Sequence, residues 1–190
     1  MTWDHAGGLE PRSYTCGYCN NLVGSNQGYQ HHNIAFRRVY ICPFCGKPTY
    51  FDDDSQQYPG VSQGNQVDHL PEEIGKLYEE ARRCVSVNSY TSSVLACRKL
   101  LMHLAVEEGA DEGKAFIDYV KYLADNGYVP PGGENWVDLI RKKGNEANHV
   151  IKLMSKADSE QLLAFLEMLL KFMYEFPSRV TASEETAKTE

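Results

Sequence analysis

The sequence of 190 residues has no apolar run long enough to cross a membrane. Its most apolar stretch, Leu162–Met173, is interrupted by Glu167 and Lys171 and is shorter than the roughly 20 residues that a membrane helix needs. Residues 1–10 have neither a basic start nor an apolar run, so we expect no signal peptide. These absences predict a cytoplasmic protein without membrane contact.

An excess of positive charge is also missing. The chain has 19 Lys and Arg residues against 26 Asp and Glu residues, a net charge of -7. A protein with this balance does not attract nucleic acid as a whole, so any such contact must come from a local patch. The chain contains no repeat with a solenoid period, and its length allows one large domain or two small ones.

The six cysteines are informative through their spacing. Without an export signal, the six cysteines favour a reducing compartment, where metal binding is more common than disulfide formation. Four of them form the pairs Cys16-Gly-Tyr-Cys19 and Cys42-Pro-Phe-Cys45, separated by 22 residues. Two such turns can place four thiolates around one ion, whereas a redox dithiol needs only one pair. We predict a structural Zn²⁺ held by all four cysteines, with no position left for a substrate.

Strand-like segments flank the second cysteine pair. Ile34–Ile41 and Thr49–Phe51 are rich in β-branched and aromatic residues and are predicted to be the strands on either side of it. The pair continues to Gly46, and this Cys-Pro-x-Cys-Gly form resembles the zinc ribbon family. We predict a small N-terminal β zinc ribbon over residues 1–52, which buries too little apolar surface to fold without its metal. Its aromatic residues either form this small core or stack on unpaired bases, and we favour the core. They are Tyr14, Tyr18, Phe36, Tyr40, Phe44 and Tyr50.

The rest of the chain is predicted to be helical. Residues 53–70 are predicted to be a linker, because they combine an acidic run with Pro, Gly, Gln and Asn and lack a hydrophobic period. Apolar residues at 71–177 recur at helical spacing, so we predict a mostly α protein with a helical bundle after the ribbon. Its last helix is expected to be central, to begin at Asp158 in a capping-box pattern and to end at Pro177. The polar residues 178–190 are predicted to be disordered.

The stretch Leu139–Ile151 joins a basic cluster, a glycine and a histidine between apolar runs. Gly144 suits the end of one helix, and Asn145 then suits the cap of the next. If the helix instead continues, Arg141, Asn145 and His149 fall on one stripe. Either arrangement makes these residues candidates for a functional surface. The alternative is an ordinary helix boundary beside a half-buried histidine.

Three segments resemble the family called domain of unknown function 4145, over residues 69 to about 177. They are His69-Leu-Pro-Glu-Glu-Ile-Gly-Lys-Leu-Tyr-Glu-Glu-Ala81, Tyr90-Thr-Ser-Ser-Val-Leu-Ala-Cys-Arg98 and Leu139-Ile-Arg-Lys-Lys-Gly-Asn-Glu-Ala-Asn-His149. Domains of this family often follow a zinc ribbon and occur among prokaryotic defence and restriction genes. The family is thought to be related to the HEPN superfamily (higher eukaryotes and prokaryotes nucleotide-binding), many members of which are metal-independent endoribonucleases that act as dimers. The resemblance therefore implies a HEPN-like helical bundle.

The resemblance also implies catalytic candidates. Active HEPN proteins commonly place an arginine four to six residues before a histidine, often with an asparagine directly after the arginine. Asn145 and His149 fit this pattern, but Gly144 stands where the arginine belongs. Arg141 and Lys143 are the nearby cations that would take its place beside the phosphate, with the guanidinium giving the better two-point contact.

Two hypotheses of function follow. The first is a nucleic-acid-linked effector, a metal-independent endoribonuclease in prokaryotic defence or a toxin–antitoxin system, with RNA as partner and a homodimer as the active form. The second is a non-catalytic module that binds another protein or a second copy of itself through its helices and ribbon. The spacing of Asn145 and His149 favours the first hypothesis. The acidic balance and the displaced arginine favour the second.

Overall fold

The computed structural model describes residues 3–34, 36–129 and 153–187, with side chains described as far as residue 181. The chain divides into two compact units, Met1–Ser62 and Gln63–Glu190, which we call the β unit and the helical unit. Among the described residues, no helix combines the length and the apolar character needed to cross a bilayer.

The β unit contains one antiparallel sheet whose strands are adjacent in chain order. They are β1 (Gly7–Thr15), β2 (Leu22–Gln30), β3 (Arg38–Ile41), β4 (Pro48–Phe51) and β5 (Gln57–Tyr58). β4 confirms the strand predicted after the second cysteine pair. The strand predicted at Ile34–Ile41 is found only in its second half, as β3. The residues before it form a loop in which His31 Nδ1 accepts hydrogen bonds from the N–H groups of Asn33 and Ile34, both at 3.1 Å.

β1 and β2 are absent from the sequence-based prediction. β1 is an edge strand with an irregularity between Gly8 and Arg12, which accommodates Pro11 without loss of a ladder hydrogen bond in the sheet interior. β2 is mostly polar and contains Gly28, where an added Cβ would lie 1.8 Å from the carbonyl oxygen of Val39. The glycine is required because β2 and β3 approach closely there. Strand propensity is therefore a poor guide to both elements.

The core of the β unit is a cluster of three aromatic rings. Tyr14, Tyr40 and Phe51 have ring centroids 5.3–6.2 Å apart and come from three different strands. Cys16 and Cys42 are buried against this cluster. The cysteine turns are thus continuous with the only sizeable apolar core among the described residues of the β unit.

Part of the predicted linker, residues 53–70, belongs to the β unit. β5 pairs with β4, and the side-chain amide of Gln57 donates a hydrogen bond of 2.8 Å to the carbonyl oxygen of Thr15. The chain then passes over the first cysteine turn, where a Cβ added to Gly17 would lie 2.3 Å from the carbonyl oxygen of Gly60. Polar side chains, not apolar ones, hold this segment in place. Its sequence therefore shows no hydrophobic periodicity, and its structure could not be predicted from such a pattern.

The helical unit is organised around its second helix. Its elements are α1 (Glu72–Ser86), α2 (Tyr90–Glu107), α3 (Phe116–Asp125), α4 (Lys156–Leu170), a π-helical turn (Lys171–Glu175) and α5 (Phe176–Ala187). α2 packs against α1, α3 and α4, and its buried residues occupy more than one face. The sequence predicts the last helix to be central. α4 does contribute a large share of the core, but among the described helices α2 is the one that packs against α1, α3 and α4 together.

The remainder of the predicted linker is bound to the helical unit. We call Gln63–Asp68 the strap. Arg82 donates hydrogen bonds to the carbonyl oxygens of Gln63 and Gly64, at 3.0 and 2.9 Å. The carboxylates of Glu167 and Glu175 accept hydrogen bonds from strap N–H groups, at 2.8 and 3.2 Å. Val67 enters the core. Charged side chains distant in sequence therefore fix a segment that its own composition predicts to be loose.

The C-terminal helices differ from the prediction at both ends. α4 begins at Lys156 rather than at Asp158, because Ser155 is the cap: its Oγ accepts a hydrogen bond from the Asp158 N–H, and its own N–H donates to the Asp158 carboxylate. Pro177 does not end the helix. The π-helical turn directly before it widens the backbone where the proline ring would otherwise meet the carbonyl four residues earlier. The predicted disordered tail is helical as far as Ala187.

Candidate metal centre

The four paired cysteines lie together, as predicted. All of their Sγ atoms are within 4.8 Å of one another. Two separations that cross between the pairs are 3.7 Å, from Cys16 to Cys45, and 3.8 Å, from Cys19 to Cys42. Sulfurs bound tetrahedrally to one ion at about 2.3 Å are about 3.8 Å apart. The cluster therefore has the dimensions of a four-thiolate metal site.

The two cysteine turns share one backbone design. The carbonyl oxygen of Cys16 accepts the N–H of Asn20, and that of Cys42 accepts the N–H of Gly46, both at 2.9 Å. Asn20 and Gly46 occupy equivalent positions and both have positive φ, 55° and 70°. Asparagine and glycine are the residues that adopt this conformation most readily. The sequence after each pair thus explains why both turns close in the same way.

Backbone N–H groups point at the sulfurs. The N–H of Tyr18 lies 3.5 Å from Cys16 Sγ, and the N–H of Cys45 lies 3.5 Å from Cys42 Sγ. Donors directed at a thiolate offset its negative charge and orient its lone pairs. The donors belong to Tyr18 and Cys45, neither of which is a glycine. The conformation of the turn alone therefore produces these contacts.

Burial and hydrogen bonding give the thiols different acidities. Burial raises the pKa of the Cys16 thiol, and it raises the pKa of Cys45 to about 12. Burial acts in the same direction on Cys19, but hydrogen bonds with Asn21, Cys16 and Cys45 outweigh it and lower the pKa of Cys19 to about 7. Of these three thiols, Cys19 loses its proton most readily, and a bound cation must displace protons from Cys16 and Cys45.

The N-terminal segment covers the second turn. The indole Nε1 of Trp3 donates a hydrogen bond of 2.8 Å to the carbonyl oxygen of Gly46. The Trp3 ring also contacts Tyr29 edge to face, with centroids 6.3 Å apart. Trp3 was not a sequence-based candidate, since a single aromatic residue near a terminus carries no pattern.

The predicted catalytic residues Arg141, Lys143, Asn145 and His149 lie outside the described residues. The described chain on either side of them is fixed to the helical core. Tyr128 donates a hydrogen bond to the carboxylate of Glu108. Met154 is buried, and its N–H donates a hydrogen bond of 3.0 Å to Thr91 Oγ1 at the start of α2.

Two arginines of the helical unit are buried. Arg82 is the anchor of the strap, and its guanidinium also pairs with Glu79 at 2.6 Å. Arg98 is buried on α2 with its guanidinium 4.2 Å from the centroid of Phe116, and burial lowers its pKa. Arg82 was not a sequence-based candidate, and the signal that could have found it is its position on the apolar face of α1.

The protein thus combines a β unit that contains a four-cysteine cluster with a helical unit that follows it in the chain. The family described as Domain of unknown function (DUF4145) matches residues 79–188, and the chain belongs to this family. The matched region begins within α1 and includes the stretch Leu139–Ile151. No curated protein and no solved structure matches the chain.

Proposed function

We propose that the protein is a nucleic-acid-linked effector that cleaves RNA with a HEPN-like helical unit, in prokaryotic defence or a toxin–antitoxin system. The proposal rests on one observation: Arg141 and Lys143 lie close in sequence to Asn145 and His149. All four residues fall within the region that matches the family. The chain before this segment is held by Tyr128 and the chain after it by Met154.

The chemistry requires no metal. His149 would take the proton of an RNA 2′-hydroxyl as its oxygen attacks the adjacent phosphorus, and the 5′-oxygen would leave with a proton. The products would be a 2′,3′-cyclic phosphate and a 5′-hydroxyl. Arg141 or Lys143 would stabilise charge on the phosphoryl oxygens, and Asn145 would orient the phosphate or the imidazole.

Cleavage without added divalent ions tests this proposal. Purified full-length protein is incubated with mixed-sequence RNA, and the metal content of the β unit is checked afterwards, because a strong chelator would also attack the cysteine site. We expect His149→Ala to reduce the rate at least about 100-fold. The control is His103→Ala, since His103 is exposed on α2 with 60% of its side chain accessible. No cleavage by the wild type, or equal cleavage by His149→Ala, would overturn the proposal.

A second candidate is a non-catalytic module that pairs with a second copy of itself. Phe172, Phe176 and Val180 are exposed at four-residue spacing along the π-helical turn and α5, and the two phenylalanine rings touch edge to face at 5.3 Å. Light scattering of Phe172→Ser/Phe176→Ser tests it against Leu95→Ser, an equally exposed residue on α2. A dimer lost only in the double variant, together with no RNA cleavage by the wild type, would favour this candidate.

We also propose that the ion of the four-cysteine cluster is Zn²⁺, that its role is structural, and that the β unit is a zinc ribbon. Four thiolates in tetrahedral arrangement suit zinc or iron, and zinc needs no redox partner. The small aromatic core of the unit supports a structural role, because it buries few residues for a sheet of this size.

A further inference from the structure

We propose that the end of the β unit that carries the two cysteine turns binds unpaired RNA bases, through stacking on Tyr18 and Phe44 and contact of Lys47 with a phosphate. We call these three residues the turn face. This inference rests on the proposed RNA-linked function and names a recognition surface for it. The catalytic candidates of the helical unit play no part in it.

Tyr18 and Phe44 occupy the same position in the two turns. Each is the residue directly before the second cysteine of its pair, and each side chain is exposed, Tyr18 at 47% and Phe44 at 75%. The turns hold them on a backbone fixed by two hydrogen bonds per turn. Rigid, exposed aromatic rings lose little conformational entropy on binding, and every base offers a face for stacking.

Four aromatic residues next to the cysteines or in the core behind them differ sharply in burial. Tyr14 and Tyr40 are buried, at 6% and 1% exposure, and form the core. Tyr18 and Phe44 contribute nothing to that core. The prediction that the aromatics pack around the metal is therefore right for Tyr14 and Tyr40, and a packing role does not account for Tyr18 and Phe44.

The turn face carries one cation, and the two cysteine turns contain no carboxylate. Lys47 Nζ lies over the Tyr18 ring, 4.9 Å from its centroid, so a cation is already placed against one face of this ring. Residues 14–22 and 42–49 contain no Asp or Glu. By contrast, Arg37 and Arg38 form salt bridges with Asp53 and Glu10.

The negative charge of the chain is concentrated elsewhere. Residues 1–62 contain four of the 19 Lys and Arg residues and five of the 26 Asp and Glu residues, so most of the excess lies in the helical unit. With Zn²⁺ bound, four thiolates leave a formal charge of about −2 at the cluster. We therefore assign the affinity chiefly to stacking, with a single phosphate contact through Lys47. A duplex, which hides its base faces, fits this surface poorly.

Fluorescence anisotropy with a labelled single-stranded RNA of about eight nucleotides tests the inference. The full-length His149→Ala protein is used as the background, so that cleavage and binding are separated. We expect Tyr18→Ala and Phe44→Ala each to weaken binding by roughly 5- to 150-fold. Lys47→Ala is expected to reduce the slope of log affinity against log salt by about 1.

The matched control is Phe36→Ala. Phe36 is 72% exposed but lies in the loop between β2 and β3, away from both cysteine turns. Metal content and circular dichroism establish that each variant remains folded. Three results would overturn the inference. Tyr18→Ala could bind as tightly as the His149→Ala background, or Phe36→Ala could weaken binding as much as Tyr18→Ala does. The background protein could also show no binding up to about 100 µM. Binding that persists when the wild type does not cleave RNA would support the turn face while removing the nuclease proposal.

Discussion

Glu167 and Asn65 are 102 residues apart in the sequence and are joined by two hydrogen bonds of 2.8 Å. One carboxylate oxygen accepts the backbone N–H of Asn65, and the other accepts its side-chain amide. Lys171, one turn further along, pairs with the same carboxylate. This relationship ties the strap to α4 at one of its several attachments, and this attachment depends on the charge of Glu167.

The first prediction concerns pH. Burial raises the pKa of Glu167, but the contacts with Lys171 and Asn65 outweigh it and hold the pKa below its usual value near 4.5. A lowered pKa means that Glu167 stabilises the folded state above pH ~4.3 and loses this effect as the pH falls through its folded pKa. We expect Glu167→Gln to reduce the free energy of unfolding by about 1–3 kcal/mol near neutral pH, and by less at about pH 3.

Urea unfolding followed by far-UV circular dichroism at the two pH values measures this difference. Glu160→Gln is the control, because Glu160 forms a more exposed pair with Lys156 on the same helix. A surface pair of this kind contributes little. A Glu167→Gln effect that did not shrink at low pH would show that charge is not the cause.

The second prediction concerns Arg82, the other anchor of the strap. Its side chain is 5% exposed, and its loss would leave the carbonyl oxygens of Gln63 and Gly64 without their donor. We expect Arg82→Leu to destabilise the helical unit by about 2–4 kcal/mol. The neighbouring Arg83 is 73% exposed, so Arg83→Leu should change stability by less than about 0.5 kcal/mol. Similar effects of the two variants in urea unfolding would contradict the role assigned to Arg82.

The third prediction concerns the close approach of β2 and β3. A Cβ at Gly28 would lie 1.8 Å from the carbonyl oxygen of Val39, whereas a Cβ at Gly24 of the same strand would meet nothing within 4 Å. We expect Gly28→Ala to destabilise the β unit by at least about 2 kcal/mol and to speed metal transfer to a coloured chelator. Gly24→Ala should release metal at the wild-type rate. Equal release from the two variants would show that the strands are not paired as described.

The cysteine cluster can be predicted from local sequence, because the two ligands of each pair are only three residues apart. Cys16-x-x-Cys19 and Cys42-x-x-Cys45 each define a turn by themselves, and the residue after each pair tolerates positive φ. β4 is predictable for the same reason, since Thr49–Phe51 has strand propensity. The family resemblance, drawn from three short sequence segments, is confirmed by the match to residues 79–188.

The remaining features depend on partners far away in the chain. β5 and the strap are held by Thr15, Arg82 and Glu167, none of which is near them in sequence. The helix continues past Pro177 because the preceding π-helical turn makes room for the proline ring. Helix propensity scales describe single residues and do not include such an effect. The geometry around His149 lies outside the described residues, so the catalytic prediction rests on sequence alone.

The central claim is that one Zn²⁺ organises the β unit through its four paired cysteines. Elemental analysis by mass spectrometry of the desalted, full-length protein tests it most directly. We predict about one zinc per chain in the wild type and in Cys97→Ser, whose cysteine is buried in the helical core, and none in Cys42→Ser. A metal-free wild type, iron in place of zinc, or full zinc occupancy in Cys42→Ser would contradict the claim.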